Sequence, residues 1–292
     1  MTEKEMQKKK KRKTSRAAEI WHQLKKNKVA VASLIVLLLI ILIAILAPVL
    51  APYSYEEQFR AIPFDPPSAE HLLGTDPVGR DILSRLIYGS QQSLQIGLLA
   101  VAIAAVIGIF IGAIAGYFGG WVDNIVMRFL DIYQSIPYLL LCVTLAAVLG
   151  PSLKNAIIAI GVGMVPSNAR LMRASILSVR EMEYVEAAKS INASNSRIIL
   201  RHILPNSISP MIVAITMGMG NAILAGSAMS FIGLGAQPPI PEWGAMISDA
   251  RNYMRAYPML AVYPGLCVII TVLAFNLLGD GLRDALDPRL KN

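Results

Sequence analysis

Charge is scarce in this chain: 16% of its 292 residues are Asp, Glu, Lys or Arg while 55% are apolar, against about a quarter charged in an average soluble domain. The mean hydropathy is +0.54. So little polar surface cannot cover so much apolar side chain, which excludes a water-soluble enzyme of one or two domains and makes the bilayer the expected solvent. Cysteine is limited to Cys142 and Cys267, both inside apolar runs, so neither a disulfide framework nor a thiolate metal cluster is available. Both read as small buried hydrophobes. The three histidines, His22, His71 and His202, fall in separate segments, and neither an H-E-x-x-H helix nor a G-x-S-x-G elbow occurs, so an intramembrane hydrolase lacks its chemistry. His71 beside Glu70 and His202 beside Arg201 read as loop or surface residues. A G-x-x-x-x-G-K-[ST] phosphate loop is also missing, so the chain is not expected to hydrolyse ATP itself. No ionisable side chain stands in the middle of any long apolar run, which argues against coupling to an ion gradient.

What is present is a series of apolar runs. A hydrocarbon core of about 30 Å needs about 20 apolar helical residues, and six windows answer to this: residues 29–50, 93–117, 134–149, 155–169, 206–234 and 259–279. The expected class is an all-α polytopic membrane protein. The third and fourth windows are short and separated only by Gly150-Pro151-Ser152-Leu153-Lys154, the signature of a tight hairpin. The first is longer than a signal-peptide core and runs into Pro48 and Pro52 without a clean cleavage site, so it reads as an uncleaved anchor.

The cations set the orientation, because Lys and Arg are retained on the cytoplasmic side. With six spans, 21 cations fall on the side of the two termini and six on the other. Both termini are therefore expected in the cytoplasm. Residues 1–28 form a basic cytoplasmic tail, 29–50 the first span, 51–90 an acidic external loop, 91–281 a core of five spans, and 282–292 a cytoplasmic tail. The run of like charge at 8–13 reads as a disordered segment near anionic headgroups rather than a nucleic-acid site, since no aromatic residue interleaves it. The external loop, with Pro63, Pro66 and Pro67 holding it extended, either seats a partner or braces the first two spans.

Two spans carry patterns of small or adaptable residues. Ala100, Ala104, Gly108, Gly112 and Gly116 recur every four residues, a stripe that lets another helix approach closely. The fifth span holds Met211, Met217, Gly218, Met219, Gly220, Gly226 and Met229, and is a candidate pathway wall or an ordinary packed helix.

Between the fourth and fifth spans lies the most patterned polar stretch. Tyr184, Ala187, Ala188 and Ile191 recur at i, i+3, i+4 and i+7 and predict one apolar stripe on a short helix, with Glu181, Glu183, Glu186 and Lys189 elsewhere. Asn192 stands where a left-handed residue would end that helix, and Ser194 caps a second one bearing Ile198, Ile199, His202 and Ile203, which Pro205 ends or kinks. The three glutamates disfavour the negative headgroups of the inner leaflet, so the helix-turn-helix at about 180–205 is expected to dock into a protein partner. A membrane protein without an energy source but with a rigid cytoplasmic knob suggests a translocation subunit driven by a separate motor.

At this point the residues resemble a known family. Glu186-Ala187-Ala188, Asn192 and Ile203-Leu204-Pro205, with Tyr184, resemble the EAA coupling loop of ATP-binding-cassette importer permeases, which usually has Gly at the position of Asn192. Gly74-Thr75-Asp76, Gly79-Arg80-Asp81, Ser84-Arg85 and Tyr88-Gly89 look like the external signature of C-type permeases of the dipeptide/oligopeptide/nickel family, although Gln91-Gln92 stands where an Arg is common. Gly119-Gly120, Asp123, Arg128, Asp131, the run Phe231-Ile232-Gly233-Leu234-Gly235 and the closing Leu282-Arg283-Asp284-Ala285-Leu286-Asp287-Pro288-Arg289 are also similar, and the likeness extends from about Trp21 to the C-terminus. It implies a type I importer fold in a bacterial plasma membrane. It further implies a homologous B-type permease, two ATPase subunits using ATP and Mg, an external substrate-binding protein, and no cofactor or metal on this chain. Peptide is the implied cargo, nickel or a nickel chelate the rival within the family, and a channel or sensor scaffold the rival from another class.

Overall fold

The computed structural model describes residues 16–58 and 62–287. The lysine-rich stretch 8–13, Arg60 and the closing Pro288-Arg289 lie outside them. The described residues form helices with no strand; the one β-bridge pairs Thr75 with Asp81.

Chain order is as follows. A short helix α1 (Arg16–Leu24) leads into α2 (Lys28–Ile45) and the single turn α3 (Ala47–Leu50); an irregular segment follows. Then come α4 (Ile82–Phe118), α5 (Gly120–Gln134), α6 (Tyr138–Leu149) and α7 (Leu153–Val179). The knob is α8 (Glu183–Ser190), α9 (Asn195–Ile198), a π-helical turn (Ile199–Ile203) and α10 (Leu204–Ser207). The chain ends with α11 (Ser209–Phe231), α12 (Trp243–Ala250) and α13 (Met259–Leu286).

Helices α2, α4, α11 and α13 are each long and apolar enough to cross a membrane, and the pair α5 and α6 makes a fifth if it counts as one bent span. The structure departs from the six-window reading in three places. The window 134–149 is not one helix: α6 has 12 residues, about 18 Å, too short for the core alone. It meets α5 at a bend of 83°. Pro137 causes this break, since proline has no N–H to continue the ladder and excludes helical geometry from the residue before it. Second, α7 runs 27 residues and continues past 169 through Arg170 and Arg173, so its polar end lowers its apolarity below that of the other long helices. Third, α4 begins at Ile82, inside what reads as external loop, and its 37 residues reach about 55 Å, well beyond the hydrocarbon core.

The small-residue stripe on α4 forms a seam with α7. A Cβ on Gly108 would lie 2.6 Å from the Asn168 Cβ, one on Gly112 2.3 Å from the Ala169 carbonyl oxygen, and one on Gly116 3.0 Å from the Ile176 Cβ. The hairpin between α6 and α7 is closed by Asn155, whose Nδ2 donates to the carbonyls of Leu149 (2.8 Å) and Gly150 (2.9 Å). The first described helices pack on the last: Leu24 and Ala30 pack with Leu278 and Ala285 of α13, and a Cβ on Gly281 would sit 2.2 Å from that of Ala30.

Much of the Gly/Met pattern of α11 is packed within the chain. Met211 and Met229 are fully buried, Gly226 abuts Ile96, and Gly220 abuts Phe275. The face of α11 left open is instead Asn221 and Leu224, with Ala228 partly covered.

Candidate coupling site and external polar cluster

The knob is built from its caps. Helix α8 ends in a Schellman motif: Asn192 takes φ 55°, its N–H donates to Lys189 O (2.9 Å), and the Ala193 N–H reaches back to Ala188 O (3.2 Å). Asn is one of the few residues other than Gly that enters this left-handed region at modest cost, which explains how it stands at a position where the family pattern has Gly. Ser194 then caps α9, its Oγ accepting from the Arg197 N–H at 3.4 Å. The π turn that follows carries Ile203, which is fully buried, and passes into Leu204 and Pro205 at the start of α10, where proline needs no N–H partner.

One apolar core joins the knob to the bundle. Val185, Ala188, Ile198 and Ile203 pack with Met172, Ile176 and Val179 of α7, Ala113 of α4 and Met211 of α11. Tyr117 Oη is 2.8 Å from Asn195 Oδ1, and Ser207 Oγ donates to Ser175 O (3.4 Å) as well as Ile203 O (3.0 Å). The knob is therefore closely packed against α4, α7 and α11.

The apolar stripe read from sequence divides in the structure. Ala188 turns inward, joined by Val185, whereas Tyr184, Ala187 and Ile191 lie on an outward ridge, Ile191 being 80% exposed. The sequence pattern merged two faces, because Ala188 sits between them and the inward Val185 fell outside the chosen repeat. Glu181, Glu183 and Glu186 are exposed around this ridge, with Met182 and Leu200 also exposed nearby.

Beside the knob, α5 is held to α7 by two ion pairs, Asp123 with Arg173 and Asp131 with Arg170, the latter at 2.6 Å. Arg180 Nη1 donates to the Gly116 carbonyl at 3.0 Å.

At the opposite end of α4 the segment from Gly74 to Arg85 folds into a buried polar cluster. Gly74 and Gly79 take φ of 79° and 73°, and at Gly74 a Cβ would also meet the Asp65 carbonyl oxygen at 2.5 Å. Thr75 Oγ1 donates to Ile62 O (2.7 Å) and accepts from the Asp65 N–H (2.8 Å). Asp76 accepts from Arg80 Nε at 2.6 Å and from the backbone N–H groups of Val78 and Arg80, and Arg85 Nε lies 3.6 Å from the same carboxylate. Both arginines then reach Asp249 of α12, at 3.6 and 3.7 Å. Burial pushes the half-buried Asp249 carboxyl above the ordinary carboxylate range, against the pull of Arg85 and Arg80. Asp81 caps α4, its Oδ2 accepting from the Ser84 N–H and Oγ, both at 2.7 Å, while its Oδ1 is 3.0 Å from Nδ1 of the buried His71. His71, read from sequence as a loop or surface residue, is thus part of the cluster's interior, tilted against Tyr53 at 5.0 Å.

Two acidic residues of this region escaped the sequence reading. Asp249 completes the arginine cluster, and Glu242 is fully buried, accepting from Ser93 Oγ (3.1 Å), Ser227 Oγ (3.2 Å) and the Ala245 N–H (3.0 Å). Glu242 is the local N-cap of α12 but takes a hydroxyl partner from Ser93, 149 positions away, and Asp249 is paired with arginines more than 160 positions away; only folding brings those distant partners together. The cluster binds α4 and the irregular segment to α12, so these residues act as a brace.

Apolar spans bundled around a glycine seam, with a capped helical knob packed at one end and a polar brace at the other, define a multi-pass membrane transport component. The chain belongs to the family of binding-protein-dependent transport system inner membrane components, whose family model matches residues 108–292; a second model, the N-terminal TM domain of oligopeptide transport permease C, matches residues 15–67. The chain is 49% identical over 274 residues to the dipeptide transport system permease protein DppC of Alkalihalophilus pseudofirmus, covering 94% of this chain and 90% of that one. It is 46% identical to the DppC of Haemophilus influenzae (94% and 95% covered) and 43% identical to the glutathione transport system permease protein GsiD of Pectobacterium atrosepticum (94% and 91%). Among solved structures it is similar in fold to the inward-facing MetNI methionine ABC transporter, with a TM-score of 0.57 at 19% identity over 70% of this chain and 96% of that one. An amino acid ABC transporter solved with histidines gives 0.53 at 16% identity over 68% and 92%.

Proposed function

We propose that this chain is the C-type permease of a bacterial plasma-membrane importer for short peptides, paired with a homologous B-type permease, two ATPase subunits and an external binding protein. The observation that carries this reading is the knob: an outward ridge of Tyr184, Ala187 and Ile191, ringed by glutamates, on a core shared with α4, α7 and α11. An exposed apolar ridge on a rigid support fits a cleft in a partner, and ATP with Mg is bound by that partner. Closure of the two ATPases then moves the knob, and the long helices carry the movement to the far side, alternating access to the pathway. No cofactor or metal is assigned to this chain.

Peptide is favoured as cargo because relatives at 43–49% identity over nearly the whole chain are named for dipeptide and glutathione transport. The test is uptake into proteoliposomes holding the complete importer: ATP-dependent accumulation of labelled dipeptide is expected, and flux without ATP would indicate a channel instead. Nickel accumulation with no peptide accumulation would indicate the metal alternative.

For topology, α2, α4, the bent pair α5 and α6, α7, α11 and α13 make six crossings with both termini cytoplasmic. The packing of Ala30 against Gly281 supports an even number, since it puts the start of α2 and the end of α13 at one end of the bundle. A Lys154→Cys variant in whole cells should react with an impermeant maleimide from outside; labelling only after permeabilisation would reverse the orientation.

A further inference from the structure

The bend between α5 and α6 opens a cavity of about 710 Å³ against α7 and α11, within the roughly 300–1,000 Å³ typical of small-molecule sites. Its lining is apolar with a few neutral polar groups, Tyr133 and Gln134 before the bend, Ser167 on α7 and Asn221 on α11, and none of the described residues lining it is charged. Two observations set it apart from a packing defect. The Tyr133 hydroxyl is buried and has no hydrogen-bond partner among the described residues, a state that costs free energy unless something else fills the role. Asn221, the one amide side chain on α11, stands exposed midway along that helix, one turn from the exposed Leu224.

We infer that this cavity is a passage subsite for a short peptide, with Tyr133 and Asn221 hydrogen-bonding the peptide's backbone amides and Leu224 bounding the space for its side chains. The inference rests on the peptide-import reading above and names the residues of this chain that meet the cargo. Neutral donors and acceptors suit amide groups, which every peptide carries, while the lack of charged partners leaves the termini unrecognised. Such a site accepts peptides of varied sequence and releases them readily, and it sorts them by bulk.

The test measures maximal ATP-driven uptake of Ala-Ala and Phe-Phe by the complete importer in proteoliposomes. Tyr133→Phe removes a hydroxyl that bonds nothing among the described residues, so folding is expected to survive. It should lower uptake of both peptides by about three- to tenfold, the effect of one neutral hydrogen bond. Leu224→Trp should lower the Phe-Phe to Ala-Ala rate ratio by about tenfold or more, and Leu224→Ala should raise it. Damage to assembly lowers both peptides alike, so an unchanged ratio in both Leu224 variants, with Tyr133→Phe at the wild-type rate, overturns the assignment. As a second measure, Asn221→Cys should be protected from a maleimide by saturating Ala-Ala, and undiminished labelling counts against the site. A wild-type complex that imports neither peptide overturns the import reading itself, a result distinct from wild-type import with indifferent variants.

Discussion

Reversing one charge on the knob, Glu186→Lys, should abolish ATP-driven uptake while the chain still inserts and folds. Glu186 is exposed on α8, so its replacement should change stability by no more than about 0.5 kcal/mol. At a docking surface the same change sets a cation where an anion complements the partner, at a cost of several kcal/mol. Uptake should therefore fall by about two orders of magnitude or more, and Glu186→Gln should fall between variant and wild type. The measurement is peptide uptake normalised to membrane-inserted protein, alongside co-purification of the ATPase. Normal uptake in Glu186→Lys would remove α8 from the coupling path.

Asp76→Ala should be the more damaging change to the fold. Its carboxylate is shared by Arg80 and Arg85 and also accepts from two backbone N–H groups, and all three side chains are nearly inaccessible. Removing one partner from a buried ion cluster leaves uncompensated charge, at about 3–5 kcal/mol. For a chain of this size that corresponds to a fall in Tm of roughly 10 °C, measured on the purified permease in detergent. Asp249→Ala supplies the contrast. Asp249 is 42% exposed with its partners at 3.6 and 3.7 Å, so solvent already screens much of the interaction and a loss of about 1 kcal/mol or less is expected. Equal losses in the two variants would mean that the cluster does not depend on the buried carboxylate.

Both predictions depend on features that differ in how far a linear pattern exposes them. The turn after α8 was legible because its chemistry is local: Asn192 and Ser194 satisfy groups within five residues, and their conformations follow from their own side chains. The α4 stripe was legible for the same reason, since a period of four small residues is a property of one helix, although its partner on α7 was not. The brace was half legible. Gly74, Thr75, Asp76, Gly79, Arg80 and Asp81 stood out as a motif, but a motif of charges in a loop reads equally as a surface for a partner. In the structure they are buried instead, and one partner of their arginines is Asp249, more than 160 residues away. Met and Gly on α11 left two readings open because flexibility and close packing call for the same residue types.

By itself the sequence determined the apolar, membrane-spanning character of the chain and the position of the knob, because each follows from composition or from groups within one or two helical turns. The tertiary structure alone decided which face of each element is covered. It turned Ala188 inward and Tyr184 outward, converted an acidic loop into a brace, split a single apolar window at Pro137, and opened a cavity at that bend. Burial is a relation between segments distant along the chain, and hydrophobic periodicity records only that a face is apolar, not whether protein, lipid or cargo lies against it.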